Sequence, residues 1–196
     1  MMQFSFSKKE IKDIIVSTLA IGFIFAYGSQ FSVTTWLLLS VIVAISFIPH
    51  ELAHKYIANK YNCFAEYQMW KMGLIVALIM TVFLGFAFIA PGAVVIYPIT
   101  QDRYGVRPVN LTSKQNAIIS AAGPMTNLLI ALFFLPLAGM NPFFKAIVSI
   151  NTILALFNMI PVPPFDGSKI VWYNILMWAA LVAVGLGLYF LAGISI

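Results

Sequence analysis

Long apolar stretches recur along the chain and leave few polar residues to face water. They lie at about 11–28, 33–60, 74–99, 115–137, 143–160 and 168–192. Of the 196 residues, 62% are hydrophobic and only 9% are charged, and the mean hydropathy is +0.97. A soluble domain of this size could not cover its surface with polar side chains. The sequence therefore predicts an integral membrane protein, with residues 1–196 forming one domain.

The charged residues and the cysteine exclude several classes of function. Eleven Lys and Arg against six Asp and Glu give a net charge of +5. In a membrane protein this excess reflects the preference of basic residues for the cytoplasmic side, and we expect no binding to nucleic acid. The one cysteine, Cys63, excludes an intrachain disulfide and a thiolate metal cluster. The N-terminal residues lack the pattern of a removable signal peptide, so we expect none.

The stretch at 74–99 is broken by Pro91 and Gly92 and allows two topologies. Either 74–90 crosses the membrane, or it enters as a helix and residues 92–99 return as an extended strand. With the N-terminus in the cytoplasm, the re-entrant hairpin places ten basic residues inside and only Lys145 outside, whereas a full crossing leaves seven inside and four outside. Because basic residues favour the cytoplasmic side, the count favours the hairpin.

These features together predict the fold class. We expect an all-α polytopic membrane protein with about five transmembrane helices, a membrane re-entrant hairpin and a short strand element. Irregular backbone at membrane depth is tolerated only beside protein or a water-filled cavity, so a cavity should lie next to the hairpin.

His50 and His54 are the only histidines in the chain, and they lie in the apolar stretch at 33–60. In a helix their spacing places both imidazoles on one face, where they can bind one metal ion. Zinc accepts imidazole ligands, and Glu51 beside them can take a proton from a water held by the metal. A chance pair would carry the cost of burial without compensation. We therefore interpret the HELAH sequence as a site for one Zn²⁺ per chain.

A catalytic zinc takes a third protein ligand, and Asp166 is the first candidate. It lies in the sequence FNMIPVPPFDG, where three prolines prevent a regular helix and let a carboxylate turn towards a neighbouring helix. The alternative is that Asp166 caps the helix that follows. Glu66 is the next candidate ligand, while Glu10, Asp13 and Asp102 fit solvated positions.

The depth of the site agrees with this choice of ligand. His50 lies about ten residues before the cytoplasmic end of its helix, which places the metal roughly 15 Å deep. In the re-entrant topology the stretch at 143–160 runs towards the cytoplasm, so Asp166 reaches the same half of the membrane.

The two motifs together resemble those of the site-2 protease family of intramembrane zinc metalloproteases. The family pattern is H-E-x-x-H followed much later by N-x-x-P-x-x-x-x-D-G, and FNMIPVPPFDG fits its second part. The resemblance implies zinc held by His50, His54 and Asp166, with Glu51 as the general base. It also implies that Asn158 lies near the metal and steadies the oxyanion of the tetrahedral intermediate. The alternative for Asn158 is an amide that satisfies backbone groups freed by the prolines.

The implied function is zinc-dependent hydrolysis of peptide bonds within or near transmembrane segments of membrane-protein substrates. The protein would be a multi-pass protein of the cell membrane, with its active site in the cytoplasmic half of the bilayer. Residues 92–99 are the strand to which an unwound substrate would add. Ser168 stands where the family often has Gly, and we expect no PDZ or CBS module.

The alternative from another class is a non-catalytic metal-binding membrane protein or a metal transporter. A transporter should carry further polar residues across the bilayer, and outside the HELAH cluster the stretches at 11–28 and 168–192 offer almost none. The intact Glu51 argues against an inactive relative. No feature of the sequence indicates an oligomeric state.

Overall fold

The fold is mostly helical, as predicted. The computed structural model describes residues 5–28, 31–85, 91–102 and 105–194. Within these residues there are seven α-helices and four short strands: α1 (Lys8–Tyr27), α2 (Val33–Lys60), β1 (Phe64–Met69), α3 (Lys71–Leu84), β2 (Gly92–Tyr97), β3 (Ile99–Asp102), β4 (Gly105–Pro108), α4 (Ser113–Phe134), α5 (Pro142–Asn158), α6 (Asp166–Tyr173) and α7 (Ile175–Leu191).

Two helices in the described residues are long and apolar enough to cross a membrane. They are α2, and α4 extended by a 3₁₀ turn to Leu137. The helices α3, α5 and α7 are apolar but shorter. The number of five transmembrane helices therefore stays a prediction.

The centre of the fold is α2, which packs against α1, α4 and α5. The interface is apolar, with buried Ile42 and Val43 from α2 meeting buried Ile119 from α4 and Ile147 from α5. Large apolar residues also cover much of the outer surface, which is typical of a chain whose perimeter faces lipid. The helix that carries His50 and His54 thus lies at the centre of the packing.

Strands β1 and β2 form an antiparallel pair beside α2, with Phe64 opposite Tyr97 and Met69 opposite Gly92. The backbone N–H of Trp70, just after β1, donates to the carbonyl of Pro91, just before β2, at 2.9 Å. The segment that contains α3 therefore begins and ends at the same place. The strand predicted at 92–99 is present at 92–97, while its partner β1 was not predicted.

Helix α3, in the segment between the two strands, packs along α1. The Tyr27 hydroxyl, at the end of α1, donates to the carbonyl of Val82 near the end of α3. Residues 86–90 lie outside the described part of the chain. Because β1 and β2 pair with each other, the segment between them starts and ends at the same place in the fold. We call residues 71–90 the excursion.

The prediction of one helix at 168–192 was wrong. The helix breaks at Asn174, whose backbone is extended, so α6 and α7 are separate. The Asn174 side chain accepts a hydrogen bond from the N–H of Met177 and so caps the start of α7. An Asn that caps one helix ends the helix before it, and an apolar pattern does not reveal this.

The prediction that Glu10 and Asp13 are solvated was also wrong. Both are buried on the face of α1 that meets β1, with Glu10 only 1% exposed. Glu10 pairs with Lys55 of α2, and both carboxylates accept backbone hydrogen bonds from β1. These partners compensate for the burial of the charges.

Candidate metal centre

The structure brings the three predicted ligands together. The Nε2 atoms of His50 and His54 are 3.1 Å apart, and the Oδ2 atom of Asp166 lies 3.7 Å from the first and 3.1 Å from the second. Two ligands that sit ~2.0–2.1 Å from one zinc in tetrahedral geometry are roughly 3.3 Å apart. The spacing of the three atoms therefore fits a single zinc ion.

Asp166 reaches the histidines because the chain unwinds between α5 and α6. It is the first residue of α6, the N-cap position belongs to Phe165, and no side chain caps this helix. The alternative role for Asp166 as a helix cap is therefore wrong. The other carboxylate oxygen, Oδ1, faces the ammonium of Lys169 at 3.9 Å.

Both histidines are held by groups on α4. The Nδ1 atom of His50 is hydrogen-bonded to the Oδ1 atom of Asn127, and the Nδ1 atom of His54 lies 2.7 Å from the carbonyl oxygen of Ile119. Because both partners are acceptors, each Nδ1 carries the proton and each Nε2 presents its lone pair to the metal position. The Asn127 side chain and the Ile119 carbonyl thus determine which nitrogen of each histidine can bind the metal.

Asn127 belongs to a buried polar network that joins three helices. Its amide nitrogen donates to the carbonyl of Ser46 at 3.2 Å and to the Oδ1 atom of Asn151 at 2.9 Å. Asn151 in turn donates to the Ser46 hydroxyl at 2.7 Å. These bonds orient the amide so that its oxygen faces His50. Nothing in the local sequence around Asn151 indicates this contact.

Gly123 allows α4 to approach the metal position closely. A β-carbon at this residue would lie less than 3.0 Å from the Nε2 atoms of both His50 and His54. Any larger residue would occupy space that the ligands need. Gly123 therefore has a specific role in keeping the centre open.

Glu51 lies beside the ligands in a cavity of about 60 Å³. It is buried, and its Oε2 atom has no hydrogen-bond partner among the described residues. A buried carboxylate oxygen without a partner is unusual, because burial normally requires one. It is therefore free to take a proton from a water in the cavity. The cavity is also lined by the β2 residues Gly92, Ala93, Val94 and Ile96.

Asn158 lines the same cavity, at the end of α5. Its amide nitrogen donates to the carbonyl of Leu154 at 2.9 Å, one turn back in its own helix. This carbonyl is not one of those freed by the prolines, so the alternative role is not what the structure shows. Among the described residues, the second N–H of the amide has no hydrogen-bond partner.

The other acids do not join the group. The metal-binding group found among the described residues consists of His50, His54 and Asp166. Glu66, the second candidate ligand, lies on β1 and accepts a hydrogen bond from the hydroxyl of Ser7. The side chain of Asp102 lies outside the described residues.

Two known proteins are similar to this chain. The protein of Methanocaldococcus jannaschii named "Putative zinc metalloprotease MJ0611" is 40% identical over 195 residues, which cover 95% of this chain and 96% of that protein. The protein of Bacillus subtilis strain 168 named "Putative zinc metalloprotease YwhC" is 29% identical over 149 residues, which cover 68% of this chain and 67% of that protein. No protein-family model and no solved structure matches the chain.

We expect Gly123→Ala to lose bound zinc, because the added methyl group meets both ligating nitrogens. Zinc per chain is measured by elemental analysis of the purified protein. The control is Gly187→Ala in α7, where a β-carbon meets nothing within 4 Å. Full zinc content in Gly123→Ala would show that the metal does not lie between the histidines and α4.

We expect Asn127→Ala to bind zinc ~10–100-fold more weakly, which is the usual effect of removing the hydrogen-bond partner of a metal-binding histidine. Affinity is measured by competition with a chelator. The matched control is Asn116→Ala on the same helix, which should leave the affinity unchanged. Equal affinities for the two variants would show that the hydrogen bond from His50 to Asn127 does not contribute to zinc binding.

Proposed function

Because the chain belongs to a family of zinc metalloproteases, we propose that it is an intramembrane endopeptidase of the site-2 type. Its substrates are membrane proteins, cleaved within or near a transmembrane segment, and its cofactor is zinc. The observation that carries the proposal is the position of the His-His-Asp group. Its two histidines lie inside α2, an apolar helix long enough to cross a membrane, and Asp166 meets them from the start of α6.

Each polar residue of the centre then has a role. Bound zinc supplies a Lewis acid that polarises a peptide carbonyl and makes water more acidic. Glu51 takes the proton of the attacking water and delivers it to the leaving amine. The free N–H of Asn158 donates to the carbonyl oxygen as negative charge develops on it. Asn127 and the carbonyl of Ile119, both on α4, keep the two imidazoles in the tautomer that can bind the metal.

The edge of β2 is the proposed binding site for the substrate. A transmembrane helix hides its peptide bonds in its own hydrogen bonds, so the segment must unwind before it is cut. An extended segment can add to an open strand edge through backbone hydrogen bonds. In the described residues β1 is the only strand that pairs with β2, and residues of β2 line the cavity that contains Glu51.

We propose a multi-pass arrangement in the cell membrane, with the N-terminus and the active site towards the cytoplasm. The distribution of basic residues supports it, as does the closed base of the excursion between β1 and β2. Lipid covers the exposed apolar perimeter of the helices.

We expect Glu51→Gln to keep zinc but lose proteolysis by ~10²–10⁴-fold, because an amide cannot act as the base yet nearly keeps the shape. The measurement combines elemental analysis with proteomics of membrane fragments in cells that express wild-type or variant protein. Asp166→Ala should instead lose the zinc.

The matched control for Glu51→Gln is Glu66→Gln, which removes a carboxylate outside the metal group. It should cleave at the wild-type rate. If Glu51→Gln stays within a factor of two of that rate, Glu51 is not the base. If neither the wild type nor the control cleaves any membrane protein, the proposed function fails.

We expect the loop before α4 and the loop after it to lie on opposite sides of the membrane. Single cysteines are placed at Asn110 and Gly139, both exposed, in a Cys63→Ser background. An impermeant thiol reagent should label Asn110→Cys only from the cytoplasmic side and Gly139→Cys only from outside. Both should react in detergent. Labelling of Asn110→Cys from outside would contradict the re-entrant arrangement.

A further inference from the structure

The helix α1 carries buried charge that the metal chemistry does not use. Glu10 is 1% exposed, and its two carboxylate oxygens lie 2.7 and 2.6 Å from the ammonium of Lys55. Lys55 also donates to the carbonyl of Ser5 at 2.8 Å and lies over the ring of Phe6. A buried ion pair carries a desolvation cost and is weak evidence for stability alone. Its other contacts indicate what it does.

The same face of α1 holds strand β1 by its backbone. The N–H of Tyr67 donates to Glu10 at 3.0 Å, and the N–H of Met69 donates to Asp13 at 3.3 Å. The Tyr67 hydroxyl donates to Ser17 at 2.8 Å. Glu10, Asp13 and Ser17 are spaced as residues on one face of a helix. Alternate residues of β1 are thus fixed to α1 along the edge that faces away from β2.

This attachment determines which edge of β2 meets the cavity. In an antiparallel pair, residues whose backbone groups point away from the partner lie opposite each other. Tyr67 faces Val94 and Met69 faces Gly92, so Val94 and Gly92 direct their backbone groups away from β1. Both residues line the cavity beside Glu51. A slip of one residue would exchange the two faces.

Lys55 connects this attachment to the metal centre. It follows His54 directly in α2, so the ion pair with Glu10 holds α1 next to the ligand-bearing turn. Strand β1 is fixed to α1, and β2 is fixed to β1. The position of the β2 edge relative to the metal ligands therefore depends on Glu10, Asp13 and Lys55.

We propose that Glu10, Asp13 and Lys55 are positioning residues that select which peptide bond is cut. This inference rests on the proposed function, in which an extended substrate adds to the edge of β2. They touch neither substrate nor metal. They set the register between the strand edge and Glu51, and through it the distance along the substrate from its anchored residues to the cleaved bond.

The test compares three variants in detergent-purified full-length protein with bound zinc. Asp13→Ala removes one attachment of β1. The double variant Glu10→Ala/Lys55→Ala removes the ion pair without leaving an unpaired buried charge. Glu66→Gln is the matched control, because it removes a negative charge from β1 while its amide oxygen can still accept the hydrogen bond from the Ser7 hydroxyl.

Three quantities are measured for each variant. Zinc content reports the metal centre, and hydrogen exchange of peptides that cover 64–69 and 92–97 reports the strands. The probe for cleavage is β-casein, an unfolded protein that offers extended segments in every register. Its fragments are identified by mass spectrometry, and kcat and KM are determined for the main cleavage.

We expect Asp13→Ala and the double variant to keep zinc while the strand amides exchange about tenfold faster or more. Cleavage should spread to neighbouring peptide bonds, and KM should rise several-fold more than kcat falls. The control should match the wild type in all three quantities.

Two results would overturn the proposal. Unchanged exchange in both variants would show that the carboxylates do not hold the strand. Faster exchange with wild-type cleavage positions would show that these residues hold the strand but do not influence which peptide bond is cut. If the zinc-loaded wild type cleaves no bond of β-casein or of any membrane protein, the proposed function fails, and the proposed selection of the cleaved bond fails with it. The exchange rates would still decide whether α1 holds the strand.

Discussion

The close approach of α4 to the two histidines of α2 is the contact on which the site depends. A buried imidazole needs a partner for each ring nitrogen, or its burial is destabilising. α4 supplies the partner for both Nδ1 atoms, and Gly123 leaves the Nε2 atoms unobstructed. One helix contact therefore determines the tautomer, the ligating atom and the space for the ion. The network through Asn127 and Asn151 ties this contact to α5.

The metal ligands could be predicted from the sequence because the rules that place them are local. The i, i+4 spacing places His50 and His54 on one face, and the prolines before Asp166 predict an unwound segment. The partners of these residues follow from packing instead. Asn151 meets Asn127 only because α4 and α5 cross at that point, and nothing in its own neighbourhood indicates this.

Long-range pairing also explains the errors in the predicted fold. Glu10 and Asp13 stand among basic residues at the start of a helix, which is typical of a solvated segment. Their partners are Lys55 and the backbone of β1, far along the chain. β1 itself is short, and its contacts with α1 and β2 hold it in place. The strand at 92–97 could be predicted from the break at Pro91 and Gly92, while the re-entrant course of residues 74–99 stays a prediction from the distribution of basic residues.

The hydrogen bond from Trp70 to Pro91 closes the excursion that contains α3 at its base. The strands on either side are held by each other and by α1, so their position does not depend on how long the excursion is. The entropy of closing a flexible loop grows slowly, by about 0.6 kcal/mol for each doubling of its length. Insertions and deletions between residues 71 and 90 therefore leave the strand edge beside the metal where it is. In this segment a lineage can gain or lose residues, and so change how the protein meets its surroundings, without altering its chemistry.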